Sequence, residues 1–440
     1  MHNYDFSFII PVYNSERYLT KALNSILTQK YDLDKIQVIL INDGSTDNGL
    51  EICKKYESDN IIVIDKKNEG VSKARNDGIK KANGRYIAFL DSDDYLSDNF
   101  CQEVFDFFES SYNQIDIVTF PLINFTGKKV KKHFRYSKLY SNENRIFDIN
   151  ENPEIIQTTI NICVKNKYKN NILFNENMTL SEDEEFATKN IMLKEKIGYC
   201  NNCCYYYRKN NYHSTTKNYN VTDREFKAYT DYYSSLLKKY KNSIYIRNLF
   251  LNTLRWRLDE SKLIPKDSGK KEEYLSILKK LLSYIMIEDI LNLSFLNMET
   301  KLSILELKGI DYSLSDDNRF VLIGRRKYSI NSPLKFVIDK LMFDKYPIIS
   351  GYCNFKYPFG FELHKKNIFS ESVSNTYIYE FSFKATDSKC IDLSSVDSDI
   401  KIILKNKTFK LKYKVYVENK KICISTMGIR DIIKKVLRSI

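Results

Sequence analysis

Two periodicities alternate along the first ninety residues. Phe6 to Ile10 is a short apolar run bounded by Pro11 and reads as a buried strand. Asn14 or Ser15 can cap the helix that follows, in which Leu19, Leu23, Ile26 and Leu27 recur at helical spacing. Val38 to Ile41 is the next apolar run. It breaks into Asn42–Asp43–Gly44–Ser45–Thr46–Asp47, which is dense in turn and cap residues. A short helix with Leu50 and Ile52, a strand from Ile61 to Ile64 and the turn Asn68–Glu69–Gly70 come next. Val71 to Ala82 then reads as a helix with Ala74 and Ile79 inward. Asn83–Gly84 stops it, and Tyr86 to Leu90 is a fourth strand. This alternation predicts an α/β fold whose parallel sheet is covered on both faces.

Ligands of such sheets bind beyond the C-terminal ends of the strands. Three polar clusters fall there: Tyr13–Asn14, Asp43–Gly44–Ser45 and Asp91–Ser92–Asp93. Two carboxylates one residue apart at a strand end suit a hard divalent ion. A Mg²⁺-like ion takes one or two carboxylates together with substrate phosphates. The plainer alternative is a polar strand end followed by an Asp helix cap. The glycine fingerprint for dinucleotides and the phosphate loop of NTPases are both missing after the first strand, which argues against NAD, FAD and P-loop chemistry.

Composition narrows the picture. With 440 residues the chain has room for two or three domains. No stretch approaches the ~20 apolar residues of a membrane span, and no secretory leader precedes the first strand, so a cytoplasmic protein is expected. The net charge of +13 fits either attraction to an anionic partner or a Lys-rich composition throughout. No nucleic-acid recognition motif accompanies it. Of nine scattered cysteines, only Cys200, Cys203 and Cys204 cluster. A zinc site lacks its second ligand pair, so buried apolar thiols are the expectation.

Four segments in order resemble the motifs of family 2 glycosyltransferases with the GT-A fold: Phe8–Ile9–Ile10–Pro11–Val12–Tyr13–Asn14, Val38 through Asp47, Asn68 through Asn76, and Phe89–Leu90–Asp91–Ser92–Asp93–Asp94. The resemblance covers Asn3 to Tyr219 and implies a nucleotide-diphospho-sugar transferase fold, Rossmann-like, with a mostly parallel sheet. It implies that Pro11, Tyr13 and Glu16 line the base and ribose, that Asp43 accepts hydrogen bonds from the nucleotide, and that Asn68 and Arg75 lie near it. It further implies that Asp91 and Ser92 meet the ribose or donor sugar and that Asp93 binds Mn²⁺ or Mg²⁺. In Ser181–Glu182–Asp183–Glu184–Glu185 it makes Asp183 the general base, with Glu182 as fallback or acceptor contact. The same run also reads as an ordinary acidic helix start. Arg208 is implied to touch phosphate, and His213 to supply a further metal ligand, although a partly buried structural histidine explains it as well. The activity implied is inverting, metal-dependent transfer from a nucleotide-diphosphate sugar, most simply a UDP-sugar, to a bacterial surface glycan or its lipid-linked precursor. Two rivals are a catalytically silent binding module of the same fold and a nucleotidyltransferase.

Beyond Tyr219 the resemblance ends. Leucines recur at helical spacing between Phe226 and Leu293. Phe336 to Leu341 reads as one more helix, followed by strands at Tyr377 to Phe383, Ile400 to Leu404, Phe409 to Val417 and Lys421 to Ser425. The expected organisation is a catalytic domain over residues 1–220, a helical region over 221–310 and a small β-rich domain over 311–440. Gly428 to Ile440 reads as a basic amphipathic helix, for which docking on the inner face of an anionic membrane and packing on the preceding domain are equal readings. Self-association through this half is a further expectation.

Overall fold

The computed structural model describes residues 3–126, 129–133, 142–178, 180–209, 227–259, 268–296, 298–314 and 320–329, and the backbone of further strands between 334 and 426. By internal contacts the chain divides into two units, Met1–Asn248 and Leu249–Ile440.

The first unit is built on an eight-stranded sheet. Its parallel half comprises β1 (Tyr4–Val12), β2 (Ile36–Asp43), β3 (Ile61–Lys66) and β4 (Gly84–Phe89), in the order β3-β2-β1-β4. All eight residues of β2 are buried, which is why its sequence is a continuous apolar run rather than an alternation. Helices α1 (Glu16–Leu27), α2 (Gly49–Lys55) and α3 (Val71–Lys81) connect these strands. Leu19, Ala22, Leu23 and Ile26 form the buried face of α1. Gly78 lets α3 press against the sheet, since a Cβ there would stand 2.6 Å from the Ile9 side chain. After β4 come β5 (Tyr95–Leu96), α4 (Phe100–Ser110), β6 (Ile117–Thr119), β7 (Leu122–Thr126), β8 (Lys129–Lys132) and β9 (Arg145–Asp148). Then follow β10 (Ile162–Lys165), α5 (Glu182–Ile191), β11 (Lys196–Tyr199) and β12 (Tyr205–Arg208). β10 joins antiparallel to β4, and β6, β11 and β9 extend the sheet beyond it. A second sheet, β5-β12-β7-β8, lies at the end of β4. A π-helical turn over Ala228–Tyr233 and helix α6 (Ser234–Lys239) complete the unit.

The leucines read from the sequence lie on α6, on a further helix over Ile244–Asp259 and on α7 (Ser268–Leu282), with α8 (Ile287–Asn292) and α9 (Met298–Leu307) following in the second unit. The segment predicted as a further helix from Phe336 is instead a strand, Leu334–Phe343, paired antiparallel with Pro347–Cys353 and parallel with Ile400–Leu404. Six apolar-rich residues are too few for periodicity to separate helix from strand, and the pairing partners decide. The strands expected at Tyr377, Ile400 and Lys421 are present as Tyr377–Lys384, Ile400–Leu404 and Lys421–Thr426. They belong to a five-stranded and a three-stranded sheet. The amphipathic segment from Gly428 to Ile440 lies outside the described residues. Among the described residues no helix is long and apolar enough to cross a membrane.

Candidate active site

The ends of β1, β2 and β3 form one rim. Asp43, 4% exposed, accepts the Glu69 N–H at Oδ1 and the Gly70 N–H at Oδ2, both at 2.9 Å. It therefore fixes the Asn68–Glu69–Gly70 turn rather than its own loop, and Lys66 balances its charge from 3.9 Å. Gly44, at φ +71°, lets that turn come close, since a Cβ would lie 2.7 Å from the Asn68 nitrogen. Asn14, itself at φ 48°, accepts the Thr46 N–H at 2.8 Å, so the loops after β1 and β2 are stitched together. Glu16 is spent in the same way. Its carboxylate accepts the Asn48 N–H at 3.0 Å and the Asn48 amide at 2.8 Å, while its own N–H donates to Asp47. Tyr13, 52% exposed, projects from this rim, with Pro11 half-buried behind it and Asn68 exposed across it.

The other rim is organised by Arg75. This residue sits on α3 at 3% exposure, not on a solvated helix face. One terminal nitrogen donates to Asp183 Oδ1 at 2.7 Å and stands 3.8 Å from Glu182; the other donates to Asp91 Oδ1 at 2.9 Å. The guanidinium also lies over the Phe174 ring, 5.2 Å from its centroid. The strand-end carboxylate and the two carboxylates at the start of α5 thus meet on one cation, bringing together residues 16 and 108 positions apart. Three anions facing one cation in a largely dry site leave charge uncompensated. Burial first, and then Glu182 and Asp91, push the Asp183 carboxyl up to about 7 against the opposing pull of Arg75. Ser181, which precedes the acids, adopts the left-handed conformation at φ 64° and makes no side-chain cap. This bend directly precedes Glu182 and Asp183, the two carboxylates that meet Arg75.

β12 borders the turn after β4. The Asp91 N–H donates to the Tyr205 hydroxyl at 3.0 Å, and the Arg208 N–H donates to Asp94 Oδ1 at 2.7 Å. The Arg208 Nε donates to the Asp93 carbonyl at 2.9 Å, and its guanidinium lies between the rings of Tyr18 and Phe125. Ser92 is buried within this turn. The Asp94 carboxyl is pushed well up, first by burial and then by the charges of Asp93 and Asp91. Among the described residues no three acidic, imidazole or thiol groups converge tightly enough to cage a metal by themselves. A Mg²⁺-like ion needs no such cage when diphosphate oxygens complete its shell. The crowded, hard-oxygen donors of this turn fit such an ion. His213 lies outside the described residues.

Several residues of the site were not singled out from sequence. Asn76, next to Arg75, clips the approach to α5: its amide donates to the Phe174 carbonyl and accepts the Phe174 N–H, each at 2.9 Å. Phe174 in turn stacks on Phe186 of α5 at 4.1 Å. Tyr207 also faces the acidic groups, and its hydroxyl is pushed up to about 12 by burial and then by Asp94, Asp91, Asp93 and Asp183. An Asn in a Lys-rich helix carries no local signal for a contact 98 residues away. Cys200 and Cys203 are buried thiols, and burial pushes Cys203 up, in keeping with an apolar role.

The sequence model of the family described as Glycosyl transferase family 2 matches residues 7–173. The minor teichoic acid biosynthesis protein GgaB of Bacillus subtilis is 34% identical over 296 residues, which are 64% of this chain and 33% of that protein. The chain therefore spans about a third of the length of that relative. Among solved structures, residues 1–349 of S. aureus TarS in complex with UDP-GlcNAc superpose at a TM-score of 0.59 and 18% identity, covering 74% of this chain and 99% of that one. The longer S. aureus TarS structure covers 97% of this chain and 86% of its own at a TM-score of 0.58 and 14% identity. At such identities the likeness speaks for the fold, and the match of the family model speaks for its kind. Parallel sheet, strand-end carboxylates and family match agree: residues 7–173 form a domain that matches the family described as Glycosyl transferase family 2, on a GT-A fold.

Proposed function

We propose that this domain transfers a sugar, with inversion, from a UDP-sugar to a hydroxyl of a bacterial surface glycan, of teichoic-acid type, or its lipid-linked precursor. The observation that carries this reading is the meeting of Asp91 and Asp183 on the buried Arg75. Both carboxylates bond one guanidinium, which supports reading Asp91 as the donor-side group and Asp183 as the base of a single site. The TarS structure with UDP-GlcNAc and the teichoic acid relative support the donor and acceptor classes.

In this reading the nucleotide lies along the rim of Tyr13 and Asp43, whose carboxylate oxygens keep lone pairs for the base or ribose beyond the two N–H groups they hold. Pro11 flanks the base, and Asn68 borders the ribose. Glu16 acts through Asn48, by fixing the loop after β2. Asp91 and Ser92 bound the donor sugar. Arg208, held between Tyr18 and Phe125, presents cationic charge to the diphosphate. Asp93, with the turn that includes Asp94, is the site for Mg²⁺ or Mn²⁺, and His213 is a further candidate ligand. These residues would hold the ion, which would supply Lewis-acid neutralisation of charge on the diphosphate. Asp183 takes the proton of the acceptor hydroxyl as its oxygen bonds to the anomeric carbon, and the bond to the diphosphate breaks with its electron pair leaving on that group. One base facing the leaving group gives inversion. Glu182 neighbours the acceptor.

The test is release of nucleoside diphosphate from UDP-GlcNAc and a panel of UDP-, GDP-, CDP- and dTDP-sugars, with Mg²⁺ or Mn²⁺, for the wild type and Asp93→Ala. Metal-dependent UDP release that falls at least 100-fold in Asp93→Ala is expected. Release of pyrophosphate would instead mark a nucleotidyltransferase. Tight donor binding without turnover, with any glycan acceptor offered, would mark a binding module.

A further inference from the structure

The acidic start of α5 points in two directions. Glu182 and Asp183 meet Arg75, and Glu185 pairs with Lys189 one turn on, at 3.3 Å. Glu184, only 2% exposed, points away from all of these, into a nest of tyrosines. The Tyr233 hydroxyl donates to its Oε1 at 2.6 Å. One turn further along the same helix, the Tyr232 hydroxyl donates to Thr188 at 3.3 Å. The wide π-helical turn over Ala228–Tyr233 is what brings these neighbouring tyrosines to one face, and such turns recur at functional sites. The rings of Tyr232 and Tyr233 pack 4.7 Å apart, and those of Tyr229 and Tyr233 5.6 Å apart. Burial and the charge of Glu184 raise the hydroxyls of both Tyr232 and Tyr245 above their ordinary range.

A buried carboxylate is a poor way to stabilise a helix, because a well-packed apolar side chain does so at no desolvation cost. A single polar anchor does something an apolar contact does not: it fixes rotation and register. Residues 183 and 184 are about 100° apart around a helix of 3.6 residues per turn. Holding one therefore sets where the other points. We propose that Glu184 and Tyr233 are positioning residues for Asp183, their hydrogen bond fixing the rotation of α5 at which Asp183 faces the strand ends. This rests on Asp183 being the base. It also explains why the compact unit runs on to Asn248, well past the family match at residue 173: residues 228–245 form the rear support of the base helix.

Asp183 is faced by Arg75 from α3, Asp91 from the end of β4, Glu182 from its own helix and Tyr207 from β12. Glu184 is not among the charges that chiefly set its titration. An effect of Tyr233 on Asp183 therefore has to travel through geometry. The full-length chain is titrated by NMR of its ¹³C-labelled aspartate carboxyls, with Asp183→Asn assigning the signal, and the affinity for UDP is measured in parallel. Tyr233→Phe is expected to displace the Asp183 midpoint by at least one pH unit toward the ordinary carboxylate range while UDP affinity stays within twofold. Glu184→Gln, whose amide still accepts the tyrosine hydroxyl, and Tyr232→Phe are expected to match the wild type. Should Tyr233→Phe not fold, Glu184→Leu removes the same bond without stranding a charge and reports the same midpoint. An unmoved midpoint in the variant lacking the bond overturns the proposal. Wild-type turnover in Asp183→Asn overturns the assignment of the base instead, and leaves the geometric claim to the titration.

Discussion

On the rim of β1, β2 and β3 the carboxylates of Asp43, Asp47 and Glu16 are spent on backbone N–H groups: those of Glu69 and Gly70, of Glu16 and Gly49, and of Asn48. On the rim of β4 and α5 the carboxylates of Asp91, Glu182 and Asp183 converge on one guanidinium. The first rim is held by backbone donors, with Lys66 beside Asp43, and in the proposed reading it needs no change when a nucleotide arrives, which is preorganisation. The second carries more negative charge than Arg75 can offset. A proton resolves that imbalance in the free chain, which is why Asp183 titrates near 7. A cation arriving with the donor would offset the same charge and leave Asp183 free to ionise. In the proposed reading, binding on one side is built in and reactivity on the other is conditional on charge.

Removing the conditional group has the largest expected effect. Asp183→Asn keeps the shape and the fold but cannot accept a proton, so kcat is expected to fall about 10²–10⁴-fold. UDP affinity, measured by calorimetry, is expected to stay near that of the wild type. The wild-type pH profile sharpens the point. With Asp183 as the proposed base the rate follows its ionised form, so kcat/KM, which reports the free enzyme, is expected to rise with pH through about 7. The limb in kcat, which reports the loaded enzyme, is expected at lower pH. Stability runs the other way: the raised carboxyl favours the fold below its ordinary range, and that contribution is lost as pH rises through about 7. Coincident limbs in kcat and kcat/KM would remove the charge-conditional half of the comparison.

Arg75→Met is next. It leaves Asp91, Asp183 and Glu182 facing one another without a cation, and breaking a buried pair from one side costs about 3–5 kcal/mol. Thermal melting at pH 8 is expected to show the loss, and melting at pH 5.5, where Asp183 is protonated, much less of it. On the opposite rim, Asp43→Ala removes the acceptor of two part-buried N–H groups, at about 0.5–1.5 kcal/mol for each bond lost. Here the loss is expected to be the same at both pH values, together with weaker UDP binding. Equal pH sensitivity for the two variants would show that both rims depend on charge alike.

Much of the preorganised rim was legible because its signals are local. Apolar runs ending in Asp–Gly or Asp-x-Asp mark strand ends within a few residues. The direction of each bond was not legible: Asp43 reaches Glu69 and Gly70, and Glu16 reaches Asn48, across 26 to 32 positions. The conditional rim was hidden more deeply. Arg75 on its helix looks like any cation in a Lys-rich sequence, and only the fold carries Asp183, 108 residues on, to its side. The contacts of residues 228–245 with α5 were hidden for the same reason. Residues 228–245 share the composition of the helices after them, and nothing local says that Tyr233 belongs to the catalytic unit. The strand at Leu334–Phe343 is the mirror case, a short apolar segment whose state is set by partners it finds elsewhere.

The smallest effect probes the joint between the acids and the chain. Ser181 holds a left-handed conformation that an L-residue adopts at about 1–2 kcal/mol, directly before Glu182 and Asp183. Ser181→Gly relieves that cost but loosens the unfolded chain by about 0.5–1 kcal/mol, so stability is expected to rise by about 0–1.5 kcal/mol, with kcat unchanged. Ser181→Val, β-branched and unable to accept a positive φ cheaply, is expected to lower both the melting temperature and kcat. If the strain merely reflects crowding, the valine variant loses stability and keeps its rate. If the bend aims the acids at Arg75, the rate falls further than the melting temperature accounts for. The conditional rim would then depend on backbone geometry as firmly as the preorganised one does.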